Sequence, residues 1–153
     1  DLGYSNEIVD ALVSSRPEKI HDILERLEAI SEFLKLKESE TLSSANKRVS
    51  NILKKADKIS INPIDQHLLI ENEEIMLHKV LLDLEPKINQ CLIKNDFISA
   101  LKNLVILNTP INNFFEKVMV NADDSKIKNN RYSLLFKLRQ NLNCVADISK
   151  LAS

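Results

Sequence analysis

Apolar residues recur every three or four positions along most of this chain, which is the spacing of one face of an α-helix. The clearest such stripe lies between positions 20 and 34 and consists of Ile20, Ile23, Leu24, Leu27, Ile30 and Leu34. A second stripe spans about Ser39 to Lys58, and helical spacing resumes by Glu71. The pattern therefore predicts amphipathic helices that pack around a shared core.

Capping residues and prolines divide this pattern into separate helices. Asn62-Pro63 marks the clearest loop, because the residue before a proline is disfavoured in a helix. We predict helix starts at Ser5-Asn6, Pro17, Pro86, Asn95-Asp96, Thr109-Pro110 and Asp123-Asp124. In the fifth of these, Thr109 is expected to cap the helix and Pro110 to take its first position. Together the signals predict an all-α bundle of about seven helices, formed by residues 1–153 as one domain.

The composition agrees with a helical globular domain. Gly3 is the only glycine among 153 residues, whereas tight turns between strands draw heavily on glycine. Hydrophobic residues make up 44% of the chain and charged residues 28%, as in an ordinary folded domain. The chain begins with Asp1 rather than Met, so we expect it to be a piece of a longer protein.

The cysteines and the apolar runs bear on location. Cys91 and Cys144 lie far apart in the sequence, which favours reduced thiols in an intracellular protein over a disulfide. No apolar run approaches the roughly 20 residues of a membrane span, and no signal-peptide pattern opens the chain. We therefore expect a cytoplasmic protein that has no membrane partner.

Motifs for catalysis or cofactor binding are missing from the sequence. One glycine cannot build a phosphate-cradling loop, and His21, His67 and His78 form no zinc-binding pair. Glu74 lies four positions before His78, and we interpret the two as a solvated helix pair. The sequence thus predicts no catalytic site, no metal and no cofactor within this chain.

One side of the third predicted helix is strongly cationic. This basic stripe consists of Lys47, Arg48, Asn51, Lys54, Lys55 and Lys58. Apart from Arg48 at the edge, its members fall within an arc of roughly 100°, given 3.6 residues per turn. The stripe suits nucleic-acid phosphates, and its asparagine can bond a base or a sugar. A solvated helix face explains the same pattern, because lysine-rich faces are common.

A second polar group, Asn129, Asn130 and Arg131, lies at the start of the last predicted helix. It is a candidate for RNA contact, with Lys137 and Arg139 further along. Arg131 falls on the same side as the apolar residues of its helix, so it is equally a candidate for structural pairing. The acidic residues nearby in sequence that could pair with it are Asp123, Asp124 and Glu116.

Aromatic residues are the usual stacking platforms for unpaired bases. Phe114 and Phe115 are adjacent, so they cannot both face one partner, and at least one is expected in the core. Tyr132, beside Arg131, is the better candidate for an exposed aromatic ring.

Several blocks of the sequence resemble a known family. Residues 46–55, NKRVSNILKK, and residues 110–122, PINNFFEKVMVNA, are similar to motifs of the bacterial glycyl-tRNA synthetase beta subunit. Arg16-Pro17, Asp123-Asp124, Asn130-Arg131, Leu134-Leu135 and the run from Val145 to Ser149 match the same family in order. The resemblance is to its C-terminal part, an all-helical anticodon-binding domain of the DALR type. Asn112, Asn121 and Leu142 depart from the family's usual Asp, Met and Phe.

The resemblance implies a division of labour between two chains. The alpha chain carries the glycine and ATP chemistry of aminoacylation, and the beta chain handles the tRNA. A chain of this family would dock the anticodon arm of glycine tRNA, through the basic stripe and with less weight on Asn129, Asn130 and Arg131. Its protein partners would be the rest of the beta chain and the alpha subunit. The alternative function is a helical subunit-docking module without RNA contact, which would need an exposed apolar patch.

Overall fold

The computed structural model describes residues 3–14, 20–56 and 62–152. These residues form seven α-helices and no strand, which confirms the all-α prediction. The helices are α1 (Asn6–Ser14), α2 (Ile20–Leu34), α3 (Ser39–Lys55), α4 (Asn72–Ile93), α5 (Phe97–Asn103), α6 (Asn108–Lys117) and α7 (Ser125–Leu142). Three short 3₁₀ helices accompany them, at Gln66–Leu68, Leu104–Leu107 and Ile148–Leu151. The last of these is called the C-terminal 3₁₀ helix below.

The core lies where α4, α5 and α7 meet the remaining helices. On α7 four leucines are fully buried, namely Leu134, Leu135, Leu138 and Leu142. Helix α5 packs against α2 and α4, while α3 packs against α7 and the C-terminal 3₁₀ helix. Leu27 and Ile30 of the predicted α2 stripe are buried, but Leu24 remains 45% exposed and Leu34 41% exposed. The stripe is therefore wider than the side of α2 that reaches the core.

The predicted helix starts at Asp96 and Asp124 are confirmed by side-chain capping. The Asp96 carboxylate accepts from the backbone N–H of Ser99, at 3.1 Å, and the Asp124 carboxylate accepts from that of Lys126, at 2.8 Å. Each bond satisfies an amide that has no partner within its own helix.

Helix α4 runs unbroken through Pro86, so the predicted start of a separate helix there is wrong. A proline inside a helix lacks one hydrogen bond, to the carbonyl four residues earlier, at Leu82. Pro86 is exposed and Leu82 is 49% exposed, so water can replace the missing donor. Leu84 and Ile88 are buried on the other face, and their packing holds both halves in one helix.

The predicted cap at Thr109 is also wrong. Helix α5 continues through the 3₁₀ helix Leu104–Leu107 into α6, which already begins at Asn108. Leu107 has helical backbone angles, so the chain never leaves the helical region before Thr109. Pro110 still lies in the first turn of α6, where the missing N–H would have no partner within the helix.

Helix α3 ends at Lys55, three residues before the predicted end at Lys58. Lys58 and the predicted break at Arg16-Pro17 lie outside the described residues. Within the described ranges, every helix is too short or too polar to cross a membrane.

Candidate nucleic-acid interface

The basic stripe lies on the solvent side of α3. Lys47, Asn51, Lys54 and Lys55 are all exposed, whereas Leu42 on the opposite face is fully buried. The burial pattern follows directly from helical spacing, because apolar residues three to four apart fix which side of the helix faces the core.

A groove of about 960 Å³ runs beside the stripe, between α3, α7 and the C-terminal segment. We call it the basic groove. Its polar and aromatic lining residues are Lys47, Ser50, Asn51, Lys54, Tyr132, Phe136, Arg139, Asn143, Asp147, Ser149 and Lys150. Lys55 is exposed nearby on α3 without lining it. The groove therefore joins the predicted stripe to residues about ninety positions later in the sequence.

The charge of the groove is unbalanced. Four cationic residues line it, namely Lys47, Lys54, Arg139 and Lys150, and Asp147 is the one acidic residue among its described lining residues. A concave surface lined by one sign of charge attracts the opposite charge more strongly than a flat one. The arrangement suits a polyanion such as a phosphate backbone.

Phe136 supplies an aromatic surface within the groove. Its ring is half-buried, and the Arg139 guanidinium lies 5.4 Å from the ring centroid. Tyr132, which the sequence favoured as the exposed ring, is only 5% exposed, so that prediction is wrong. Its hydroxyl donates to the side chain of Asn121, a partner that a buried tyrosine needs.

Arg48 lies outside the groove. Its guanidinium is 4.1 Å from the ring centroid of Phe115 and lines a separate cleft between α3 and α6. Phe114 is fully buried and Phe115 is half-buried, so the prediction that at least one would join the core is confirmed. Asn112, which departs from the family motif, is exposed in the same cleft. The cation–π contact favours a packing role for Arg48.

A buried asparagine supports one wall of the groove. The Asn46 side-chain Nδ2 donates to Oδ1 of Asn143 over 2.6 Å, and Asn46 itself is fully buried. The bond joins the middle of α3 to the end of α7, 97 positions later. Asn46 thus links the two walls and binds the oxygen end of the Asn143 amide.

Arg131 is buried, with internal partners. Its Nε donates to the carboxylate of Glu74 on α4, and Nη1 donates to the carbonyl of Met119. The sequence left two interpretations of Arg131 open, RNA contact and structural pairing. The structure shows structural pairing. The prediction that Asp123, Asp124 or Glu116 pairs with Arg131 is wrong, because its partner is Glu74 on α4.

Glu74 and His78 are both buried, so their interpretation as a solvated pair is wrong. Besides Arg131, the Glu74 carboxylate accepts from the backbone N–H groups of Ile70 and Glu71, at 3.0 and 2.9 Å. The bond from Glu71 is the Glu74 half of the capping box at the start of α4. Burial lowers the pKa of the His78 imidazole, which favours its neutral form.

Asn130 ties a loop to α7. Its Oδ1 accepts from the backbone N–H of Asp65, at 2.8 Å, and its Nδ2 donates to the carbonyl of the same residue, at 3.0 Å. Asn129 is half-buried and lines a cleft of about 270 Å³ beside this loop. The second polar group therefore sits away from the basic groove, and its buried members hold the fold together.

Sequence spacing located only the α3 wall of the groove. The sequence marks Arg139 as a cation of α7, but its spacing does not connect Phe136, Asn143, Asp147 or Lys150 to a site. The segment after α7 is an irregular turn, so no helical period connects its residues to those of α7. The family block from Val145 to Ser149 was the one available signal for this wall.

Comparison with known proteins identifies relatives of this chain. Residues 42–148 match the DALR anticodon binding domain family. The whole chain is 45% identical to part of the glycine–tRNA ligase beta subunit of Ralstonia nicotianae. It is 43% identical to that of Methylobacillus flagellatus and 44% identical to that of Dechloromonas aromatica. In each case all of this chain is covered, and it spans 22% of the relative's length.

Proposed function

This chain belongs to the family of DALR anticodon-binding domains, and we propose that its basic groove docks the anticodon arm of glycine tRNA. The match to the family covers residues 42–148, which include the lining residues on α3 and α7 and Asp147, while Ser149 and Lys150 lie just beyond it. The choice of glycine tRNA rests on the relatives, which are beta subunits of glycine–tRNA ligases. The domain would hold the tRNA while aminoacylation takes place elsewhere in the enzyme.

The observation that carries the proposal is the charge of the groove. Lys47 and Lys54 on α3, with Arg139 and Lys150 on the opposite side, surround a space of about 960 Å³. A single-stranded RNA loop exposes both phosphates and unpaired bases, and grooves that bind it combine cations with aromatic surfaces. Phe136 provides such a surface here.

The stripe residues divide into separate roles under this proposal. Lys47, Lys54 and Lys55 contact phosphates, and Asn51 bonds a sugar or a base. Lys58 joins them on the strength of the sequence alone. Arg48, Asn130 and Arg131 act on RNA only through the fold, since their side chains have internal partners. Asn129 is a peripheral candidate.

The partner chains and the reaction belong to the proposal as well. We infer that this domain is one part of a glycine–tRNA ligase beta subunit, and that an alpha subunit binds ATP and glycine. The domain itself would then need neither a cofactor nor a catalytic residue. A cytoplasmic location goes with that role.

A titration tests RNA docking directly. A labelled anticodon stem-loop of glycine tRNA is titrated with the chain at 50 and 200 mM salt. A second loop, in which the two cytosines common to all glycine anticodons are replaced by uracil, is titrated in parallel. We expect tighter binding of the cytosine loop and a strong loss of affinity at the higher salt concentration. Binding that ignores the base changes would reduce the groove to a backbone clamp. No binding to either loop would contradict the proposal.

Exposed apolar residues favour a second candidate function, docking of another part of the synthetase. Met119 is 69% exposed, Ile70 57% and Met76 52%. Met119 and Ile70 approach each other because the Glu74–Arg131 pair bonds to the backbone of both. Exposed apolar side chains of this kind can serve as a subunit contact whether or not the groove binds RNA. Failure of the titration, together with retention of this chain by the remaining beta subunit, would favour docking as the sole role.

A further inference from the structure

The Asp147 carboxylate is out of place in a groove that binds phosphates. It lies among Lys47, Lys54, Arg139 and Lys150, where a negative charge opposes the attraction of a polyanion. Asp147 caps the C-terminal 3₁₀ helix, but capping uses only one of its two carboxylate oxygens. Oδ1 accepts from both the backbone N–H of Ser149, at 3.1 Å, and the Ser149 hydroxyl. Both bonds use Oδ1, so Oδ2 is the oxygen of this lining residue that remains for a ligand.

The neighbouring Asn143 amide leaves a donor, where Asp147 leaves an acceptor. Its Oδ1 accepts from Nδ2 of the buried Asn46, at 2.6 Å, so the end of the amide left to bind a ligand is its NH₂ group. Asn143 and Asp147 line the same wall, four residues apart. This wall therefore offers one strong acceptor and one donor.

We propose that Asp147 and Asn143 together recognise an exocyclic amine and the ring acceptor beside it, as presented by the Watson–Crick edge of cytosine. Asp147 Oδ2 accepts from the amine, and Asn143 Nδ2 donates to the ring nitrogen or the adjoining carbonyl. The ring of Phe136 supplies a surface for stacking. The assignment rests on the proposed function and specifies how the groove distinguishes bases.

Elementary base chemistry explains why Asp147 and Asn143 would select cytosine over uracil. Cytosine has an amine donor next to two acceptors, whereas uracil has a carbonyl in the place of the amine. A carboxylate facing that carbonyl would bring two acceptors together, with no proton between them. Adenine carries the same donor–acceptor pair on a larger ring. Glycine anticodons share two cytosines, so the proposed ligand contains the base that the wall fits.

The variant Asp147→Asn tests the assignment without removing the cap. Asparagine caps helix starts as well as aspartate does, and its Oδ1 can still accept from Ser149. Its NH₂ group would take the position of Oδ2 and donate to the carbonyl of uracil. We expect the wild-type chain to prefer cytosine over uracil by about tenfold at one of the two positions, and the variant to lose or reverse that preference.

The measurement uses the full chain and four anticodon stem-loops. One keeps both cytosines, and the others carry uracil, adenine or pyrimidin-2-one at the position that the wild type discriminates. Pyrimidin-2-one lacks only the exocyclic amine, so wild-type affinity should fall for it, whereas the affinity of Asp147→Asn should stay the same or rise. Asp83→Asn, an exposed residue of α4, is the matched control for the loss of one negative charge.

Each remaining outcome decides the question. If the wild type prefers cytosine and Asp147→Asn keeps the full preference, the assignment is overturned while RNA docking stands. Equal wild-type binding of cytosine and pyrimidin-2-one would also overturn it. Equal binding of the adenine loop would overturn the restriction to cytosine. If no loop binds the wild type, the proposed function fails and the assignment fails with it.

Discussion

The Nε of Arg131 on α7 donates to the carboxylate of Glu74 on α4, and both side chains are almost completely buried. Fifty-seven positions separate the two residues in the sequence. The pair links the two longest helices of the described chain to the loop before α4, because Glu74 also bonds to two backbone amides there.

Arg131→Ala should strongly destabilise the fold. It leaves the Glu74 carboxylate buried without its counter-ion, and breaking such a pair typically costs about 3–5 kcal/mol. Chemical denaturation of the two chains would measure the loss. Arg139→Ala is the matched control, because it removes an arginine of the same helix that lines the groove. A stability loss below about 1 kcal/mol for Arg131→Ala would contradict the structural role.

Alanine at Lys47 or Lys54 should weaken binding of the anticodon stem-loop while leaving the melting temperature nearly unchanged. Both side chains are exposed, so little packing is lost. For each lost phosphate contact, the slope of log K against log salt should become shallower by about 0.7–0.9. Lys87→Ala, on the exposed side of α4, controls for a general loss of positive charge. If the control weakens binding equally, the groove has no special role.

Arg48→Ala should behave differently from Lys47→Ala, although the two residues are adjacent. Arg48 stacks on Phe115 outside the groove, so RNA affinity should stay within twofold of the wild type, whereas stability should fall by about 0.5–1 kcal/mol. Parallel titrations and thermal melts separate the two effects. An affinity loss as large as that of Lys47→Ala would place RNA on both sides of α3.

Asn130→Ala should release the loop around Asp65. The variant leaves the backbone N–H of Asp65 without its side-chain partner, whereas the Asp65 carbonyl keeps the bond that it accepts from the Leu68 N–H, so we expect a loss of about 1 kcal/mol. Hydrogen exchange would detect the change as faster exchange of the Asp65 amide. Asn129→Ala, one position away, should leave that amide protected. Unchanged exchange in Asn130→Ala would contradict the clamp.

Cys144 should make the fold sensitive to alkaline pH. Burial raises the pKa of its thiol from 9.0 to about 12, so the unfolded chain ionises this group before the folded chain does. The resulting contribution to stability is complete below pH 9 and is lost as the pH rises from 9 towards 12.

Thiol labelling measures the same shift. In a Cys91→Ser background, native Cys144 should react with iodoacetamide at pH 8 at least about tenfold more slowly than in the unfolded chain, since the thiolate is the reactive form. Equal rates in the native and unfolded chains would contradict the raised pKa.

The sequence predicted the fold class and the α3 wall because both depend on local periodicity. The order of Lys47, Asn51 and Lys54 along one helix face is determined within a few residues, and capping by Asp96 and Asp124 is equally local. Pro86 shows the limit of that reasoning. The local rule for proline predicted a helix boundary there, but the packing of Leu84 and Ile88 in the core keeps α4 continuous.

The partners of Arg131 and the opposite wall of the groove depend on long-range packing, which one sequence does not contain. Glu74 looked like half of a solvated pair because nothing nearby in the chain indicated its burial. Asn143 and Asp147 follow the end of α7 in an irregular turn, so their approach to α3 could not be inferred from spacing.

The two walls of the basic groove come from segments separated by most of the chain, since Lys47 belongs to α3 and Lys150 to the C-terminal 3₁₀ helix. Binding of a ligand in the groove and folding of the chain would therefore be thermodynamically coupled. An RNA present at a hundred times its dissociation constant would add about 2.7 kcal/mol to the free energy of unfolding. During synthesis, a nascent chain could not capture RNA in this groove until Lys150 had left the ribosome.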